Sequence, residues 1–277
     1  MRDGARPRGK LFCGVPYRID ISAPPRDALD RLVQLGALDI ESVNDGLAAV
    51  LPDSVTPDDV DNCFAGTRVT RSPAVARDDG SVWLLSPRDI RIGRMLIASP
   101  EGASLPGVLR LTDSAAFGTG HHPTTALCIE AIAEALTIAT PDSILDVGTG
   151  SGVLALTALM MGVPNAVGVD IDAEALRIAA DNARINNRSG QLKLVLGGPD
   201  AVAGSWPLVV ANVLAAPLIE MAPILVRRLR SHGRLILSGI PLALESEVLK
   251  TYQHLGMRHV RSAERARWMV VVLQASW

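Results

Sequence analysis

The segment Leu145-Asp146-Val147-Gly148-Thr149-Gly150-Ser151-Gly152 places three glycines at alternate positions between two apolar runs. Glycine lets a backbone approach a ligand closely and take positive φ. A helix starting after Gly152 would offer unpaired N–H groups to that ligand. Spacing separates the candidates. A dinucleotide loop requires G-x-G-x-x-G, with its third glycine where Val153 stands, whereas the pattern here is G-x-G-x-G. Asp146, two residues before the first glycine, suits a ligand with a cationic amino acid tail and repels a pyrophosphate.

Asp170 lies 22 residues after Gly148, at the end of the next apolar run and just before Ile171. A carboxylate there can accept both hydroxyls of a ribose. Dinucleotides and S-adenosylmethionine both carry one, so Asp170 alone does not separate them. Asp170 and Asp172 could also cap a helix from Ala173. Asn212 follows the apolar run Leu208 to Ala211, where it offers an uncharged acceptor and donor to an incoming amine; its alternative role is a turn or cap before the next helix. Phe117-Gly118-Thr119-Gly120-His121-His122-Pro123-Thr124-Thr125 is rich in glycine, hydroxyls and histidine ahead of an apolar helix. Thr124 and Thr125 are candidate caps of that helix. The two histidines have neither a third ligand nor an i, i+4 partner, so no metal is expected.

Hydrophobic periodicity supplies the elements that would hold these residues. Tyr17 to Ser22 alternates as a strand, Ala28 to Leu35 recurs at helical spacing, and Ile40 to Val43 and Leu47 to Leu51 flank an Asn44-Asp45-Gly46 turn. Residues 1–65 thus read as a small α/β domain behind a loosely held arm at 1–15. Residues 66–110 are broken by Pro73, Pro87, Pro100 and Pro106 and read as a linker with extended pieces at 81–85 and 91–98. From 111 to 277 strands and helices alternate. Helices are expected at 124–138, 153–161, 173–186, 217–229 and 242–255, with strands at 143–147, 166–169, 192–196, 208–211 and 234–238. Parallel strands joined by helices give a doubly wound, mostly parallel sheet. The closing pair, 257–262 and 268–274, is joined by only five residues and must be antiparallel.

Composition bounds the function. The chain has 277 residues, 48% hydrophobic and 20% charged, which excludes disorder and fibrous repeats. With only 3% aromatics, aliphatic side chains must fill the core. The 27 basic and 29 acidic residues give a net charge of −2, so no global field draws in nucleic acid. Cys13, Cys63 and Cys128 form no CxxC pair, which disfavours zinc and disulfides and fits a reducing compartment. No apolar run reaches the roughly 18 residues that span a bilayer. Met1 to Lys10 leads into too short an apolar stretch for a signal peptide. The expectation is a cytoplasmic protein with no membrane contact. Arg227, Arg228 and Arg230 read as a solvated helix end. Arg258, Arg261, Arg265 and Arg267 could form a partner surface.

Taken together, FGTGHHPTT at 117–125, LDVGTGSG at 145–152, GVDID at 168–172 and ANVLAAPL at 211–218 resemble the bacterial PrmA-type methyltransferases. The likeness is close over 90–277; residues 1–65 are similar only in element order to that family's small substrate-binding domain. The resemblance implies a seven-stranded class I methyltransferase sheet and S-adenosyl-L-methionine as cofactor. It also implies a protein substrate from the large ribosomal subunit, methylated on lysine or α-amino groups, without direct nucleic-acid binding. It places cofactor contacts at Phe117, Gly118, Thr119, Thr125, Asp146, Gly148, Thr149, Gly150, Gly152, Asp170, Ile171 and Asn212, with Asn212 catalytic. Val213-Leu214 stand where many amine methyltransferases carry Pro-Pro and an aromatic clamp. The 83–102 stretch lacks several aromatics that the family would have. Alternatives are a lysine methyltransferase of the electron transfer flavoprotein β subunit, a small-molecule N-methyltransferase, a non-catalytic ribosome-associated module, and an NAD-dependent oxidoreductase, against which the glycine spacing counts.

Overall fold

The computed structural model describes residues 15–43, 46–77, 82, 83, 85, 89–100, 105, 107–112 and 120–277. The expected arm up to residue 14, the turn residues Asn44 and Asp45, and Phe117, Gly118 and Thr119 lie outside the described residues. The chain divides into two compact units, Met1–Pro87 and Arg88–Trp277.

In the first unit, β1 (Tyr17–Ser22), α1 (Ala28–Gln34), β2 (Asp39–Val43), β3 (Gly46–Leu51), α2 (Pro57–Cys63) and β4 (Arg68–Pro73) follow one another. The sheet order is β2-β3-β1-β4 with every neighbouring pair antiparallel. This is the split βαββαβ, ferredoxin-like arrangement. Alternate residues Tyr17, Ile19 and Ile21 of β1 point inward against Leu32, Val60 and Phe64. The Tyr17 hydroxyl donates to the Val55 carbonyl at 3.0 Å. Thr56 and Asp59 form a reciprocal capping box that starts α2. A short pair, β5 (Ala76–Arg77) with β6 (Val82–Trp83), follows. The unit therefore runs past residue 65, because β4 pairs with β1 over its whole length.

The second unit opens with a small sheet of β7 (Ile90–Ile92), β8 (Met95–Ala98) and β9 (Val108–Arg110). The single strand expected over 91–98 is a hairpin, folded back at Gly93 with φ +56°. Then come α3 (Pro123–Ile138), β10 (Ser143–Val147), α4 (Val153–Met160), β11 (Asn165–Asp170), α5 (Ala173–Ile185), β12 (Leu192–Leu196) and β13 (Trp206–Asn212). They are followed by α6 (Ala215–Glu220), α7 (Ala222–Arg227), β14 (Leu229–Pro241), a 3-10 turn at Leu242–Leu244, α8 (Glu245–His254), β15 (Met257–Arg265) and β16 (Trp268–Ala275). The helix expected over 217–229 is two helices. Pro223 stands in the first turn of α7, and a proline cannot continue the helix that ends at Glu220.

These strands form one seven-stranded sheet in the order β12-β11-β10-β13-β14-β16-β15. Only β16 is reversed relative to its neighbours. The β15–β16 turn places Ala266 and Arg267 at φ +50° and +66°, as a two-residue hairpin turn of the primed type requires. One sheet face packs on α3, α4 and α5 through residues such as Ile132, Leu156 and Ala183. The other packs on α6, α7 and α8 through Leu218, Leu225 and Val248. From β10 the chain travels outward to β12, then returns to lay β13 on the opposite side of β10. Ligands in such sheets settle at the carboxyl ends beside this reversal.

Candidate active site

The glycine loop leaves β10 at the reversal and is held from three directions. Gly148, Gly150 and Gly152 take φ of +70°, +54° and +80°. The N–H groups of Gly148 and Thr149 both reach the Val169 carbonyl, at 2.9 and 3.0 Å, which turns the loop over the end of β11. Gly150 N–H donates to Asp170 Oδ2 at 2.8 Å, and Asp172 N–H donates to Asp170 Oδ1 at 3.0 Å. Asp170 therefore fastens the loop to β11 while each of its oxygens keeps a further lone pair. Asp172 caps α5 through Glu174 N–H at 2.9 Å. Ile171, between the two aspartates, is 84% exposed.

Asp146 is fully buried. Its Oδ2 accepts the Thr149 hydroxyl at 2.7 Å and the Ala155 N–H at 3.1 Å, so it holds the loop and the first turn of α4 together. Its Oδ1 has no hydrogen-bond partner among the described residues. Burial pushes its pKa up to about 6, against the lowering effect of these two hydrogen bonds.

Asn212 closes β13 and is 7% exposed, with Oδ1 unpartnered. Val213, next to it, is the point where three strand ends meet. A Cβ on Gly148 would lie 2.5 Å from Val213 Cγ1, and one on Gly239 would lie 2.1 Å from the Val213 carbonyl oxygen. Glycine at both positions, with φ +70° and +82°, lets the ends of β10 and β14 close on Val213.

The 117–125 motif reaches the described residues at Gly120, whose φ is +93° and where a Cβ would strike Ile97. His122, rather than either threonine, caps α3: its ring nitrogen accepts Thr124 N–H at 3.3 Å and lies 2.6 Å from the Thr124 hydroxyl. Trp268 packs edge-on against the His122 ring with centroids 5.2 Å apart. Thr125 is fully buried, and its hydroxyl has no partner. Among the described residues, no group of three or more His, Cys, Asp or Glu is placed to hold a metal.

Among the described residues, Asp146 and Asn212, at the ends of the neighbouring strands β10 and β13, and Thr125, in the first turn of α3, each bury an oxygen without a partner, and an unmet buried polar group costs about 1–3 kcal/mol. Such groups ask for a polar ligand. This donor and acceptor set fits a ligand carrying an ammonium, hydroxyls and an amine-bearing partner, as S-adenosylmethionine with its acceptor would.

Residues 82–276 match the family described as ribosomal protein L11 methyltransferase (PrmA). The chain belongs to that family. The ribosomal protein L11 methyltransferase of Pelobacter propionicus is 34% identical over 209 residues, covering 73% of this chain and 68% of the relative. That of Geobacter sulfurreducens is 38% identical over 187 residues, covering 66% and 61%. The chain thus spans about two thirds of the length of these relatives. The crystal structure of a ribosomal protein L11 methylase from Lactobacillus delbrueckii subsp. bulgaricus superposes with TM-score 0.63 and 26% identity, over 69% of this chain and 100% of that one.

Four of the arginines singled out in the sequence have partners within the chain. Arg261 and Arg265, candidates for a partner surface, pair with Glu134 and Glu130 on α3. Arg228 donates to the Pro199 carbonyl at 2.8 Å, and Arg230 pairs with Asp142 at 2.7 Å, so neither belongs to a purely solvated helix end. The sequence reading missed Asn182 of α5 and Asn186, the residue that ends it. Asn182 donates to the Ser151 carbonyl and accepts from Thr112. The available signal was an amide on the apolar stripe of Ala175, Ile178, Ala179 and Ala183.

Proposed function

We propose that this chain is an S-adenosyl-L-methionine-dependent N-methyltransferase acting on lysine side-chain or α-amino groups of ribosomal protein L11. The observation that carries the reading is the G-x-G-x-G loop at the carboxyl end of β10, flanked by unpartnered buried oxygens on Asp146 and Asn212 at the ends of the neighbouring strands β10 and β13. Family membership supports it, and relatives bear that name. The partner in this reading is a protein, in the cytoplasm, with neither nucleic acid nor membrane required. No helix among the described residues is long and apolar enough to cross a membrane.

When bound, the cofactor supplies an electrophilic methyl group on a sulfonium. Asp146 Oδ1 would accept from the ammonium of the methionine tail. Asp170 would take the ribose hydroxyls with its spare lone pairs, and exposed Ile171 would offer an apolar face to the base. Gly148, Thr149, Gly150 and Gly152 would bring backbone close to the ligand, and Thr125 would add a hydroxyl. Phe117, Gly118 and Thr119 complete the proposed contacts on sequence grounds.

Asn212 would hold the acceptor nitrogen. Its amide oxygen takes an N–H of a neutral amine and leaves the lone pair free for attack. The amine must be uncharged, and loss of water around it on docking would favour the neutral form. No general base is then needed. Holding both partners in line is worth about 7–11 kcal/mol of barrier.

The test is incubation of the purified chain with recombinant ribosomal protein L11 and methyl-labelled cofactor, followed by mass spectrometry. Label on lysine or the amino terminus of L11 is expected. A chain that binds S-adenosylhomocysteine but leaves L11 unlabelled would overturn the substrate; one that binds no cofactor would overturn the reaction.

A further inference from the structure

We propose that Asn182 is a positioning residue for cofactor binding, a clamp that pins the glycine loop from behind. The proposal rests on the reading of that loop as the cofactor site. Asn182 is completely buried in α5. Its amide donates to the Ser151 carbonyl at 2.8 Å, while its oxygen accepts the Thr112 N–H at 2.9 Å and the Thr112 hydroxyl at 3.0 Å. One side chain thus ties together two backbone segments that are 31 and 70 residues away from it in sequence. The neighbouring turns of α5 extend the arrangement. Ala179, one turn earlier, backs directly onto Gly152, where an added Cβ would sit 3.2 Å from Ala179 Cβ. Asn186, one turn later, accepts the Arg110 N–H at 2.9 Å and donates to the Arg110 carbonyl at 2.6 Å.

Three successive loop residues are each held by a different side chain: Thr149 by Asp146, Gly150 by Asp170 and Ser151 by Asn182. The first two clamps belong to the proposed ligand contacts. Asn182 does not, because both ends of its amide are spent on protein backbone and on Thr112. Packing alone would be served by an apolar residue, as at the neighbouring positions of the stripe. A buried amide is tolerated there because its partners satisfy it, and what it adds is a fixed position for the Ser151 carbonyl. A loop held in shape before the ligand arrives loses less freedom on binding.

The test uses the full chain and two variants. Asn182→Leu removes the clamp at similar volume. Asn186→Leu removes the bonds to Arg110 and to the Asn182 backbone carbonyl, and none to the loop itself. Both should lower the melting temperature. Only Asn182→Leu should weaken S-adenosylhomocysteine binding in calorimetry, by about tenfold, the size expected for one lost buried hydrogen-bonding group. The KM for the methyl donor should rise in step, with kcat changing much less. Should Asn182→Leu fail to fold, Asn182→Asp keeps the acceptor toward Thr112 and loses the donor toward Ser151. Its affinity deficit relative to the wild type at the same pH should shrink as pH falls, when a protonated carboxyl donates again; protonation of Asp146, which weakens both chains alike, cancels in that ratio.

Equal affinity in wild type and Asn182→Leu, equal weakening in both leucine variants, or an Asn182→Asp deficit relative to wild type that does not shrink in acid would overturn the clamp. A wild-type chain that itself binds no S-adenosylhomocysteine would overturn the cofactor reading, and the clamp's role with it.

Discussion

Asp146 behaves oppositely to a surface carboxylate. Burial without a counter-charge raises its folded pKa to about 6, so the fold favours the protonated form. Between the unfolded value of about 3.9 and about 6 the native state holds the extra proton, and stability falls as pH rises through that window. Asp146→Asn keeps an acceptor for Thr149 and Ala155 and cannot ionise. Its melting temperature should exceed that of the wild type by a margin that widens from about pH 4 to about pH 6 and then levels off, while its cofactor affinity drops; thermal scans across pH check the first and calorimetry the second. Asp170→Ala removes the anchor of Gly150 as well as the proposed ribose acceptor and should abolish measurable cofactor binding, whereas Asn212→Ala should depress turnover more than binding. Side-by-side measurement of kcat and Kd would separate the two. Asp146, Asp170 and Asn212 were legible because each lies at or near the end of an apolar run. The cap of α3 was not, since His122 is a less common cap than the threonines beside it and only its buried ring position makes it one.

At the level of elements, Val213 is where substitutions should be least tolerated. Gly239→Ala would drive a methyl group into the Val213 carbonyl from a left-handed backbone. It should leave the chain insoluble or cost about 3 kcal/mol of stability or more, which expression and urea unfolding test. The β15–β16 turn offers the converse. Ala266 and Arg267 hold positive φ without being glycine, a conformation costing about 1–2 kcal/mol per residue. The double substitution Ala266→Asn with Arg267→Gly supplies residue types at ease in that backbone, and should raise the denaturation midpoint in urea. The exposed pairs of Glu130 and Glu134 with arginine add little beside these, about 0–1 kcal/mol each. The alternation of strands and helices from β10 onward was readable because the core is almost purely aliphatic and its elements are short continuous apolar runs separated by Gly, Asp and Asn. α2 was not read from sequence: Val60 is its one fully buried residue, and its start is marked by a capping box rather than a hydrophobic period. The break between α6 and α7 was readable in principle, since Pro223 announces it.

Over the whole molecule, the two units have separate cores, one around Tyr17 and Phe64 and the others on the two faces of the seven-stranded sheet. A ligand stabilises what it binds, by about 2.7 kcal/mol at a hundredfold excess over Kd. S-adenosylhomocysteine should therefore slow hydrogen exchange in 120–240 and leave 17–73 unchanged, a result readable by mass spectrometry. The division at Pro87 was not legible because 66–110 lacks periodicity: β4 alternates weakly, and its place is set by pairing with β1. The order of the large sheet also bears on synthesis. β16 is made after β15 yet lies between it and β14. In a chain released before residue 268 is made, β14 and β15 would have no shared neighbour and both would expose bare hydrogen-bonding edges. A message truncated there should therefore yield a chain primed to aggregate.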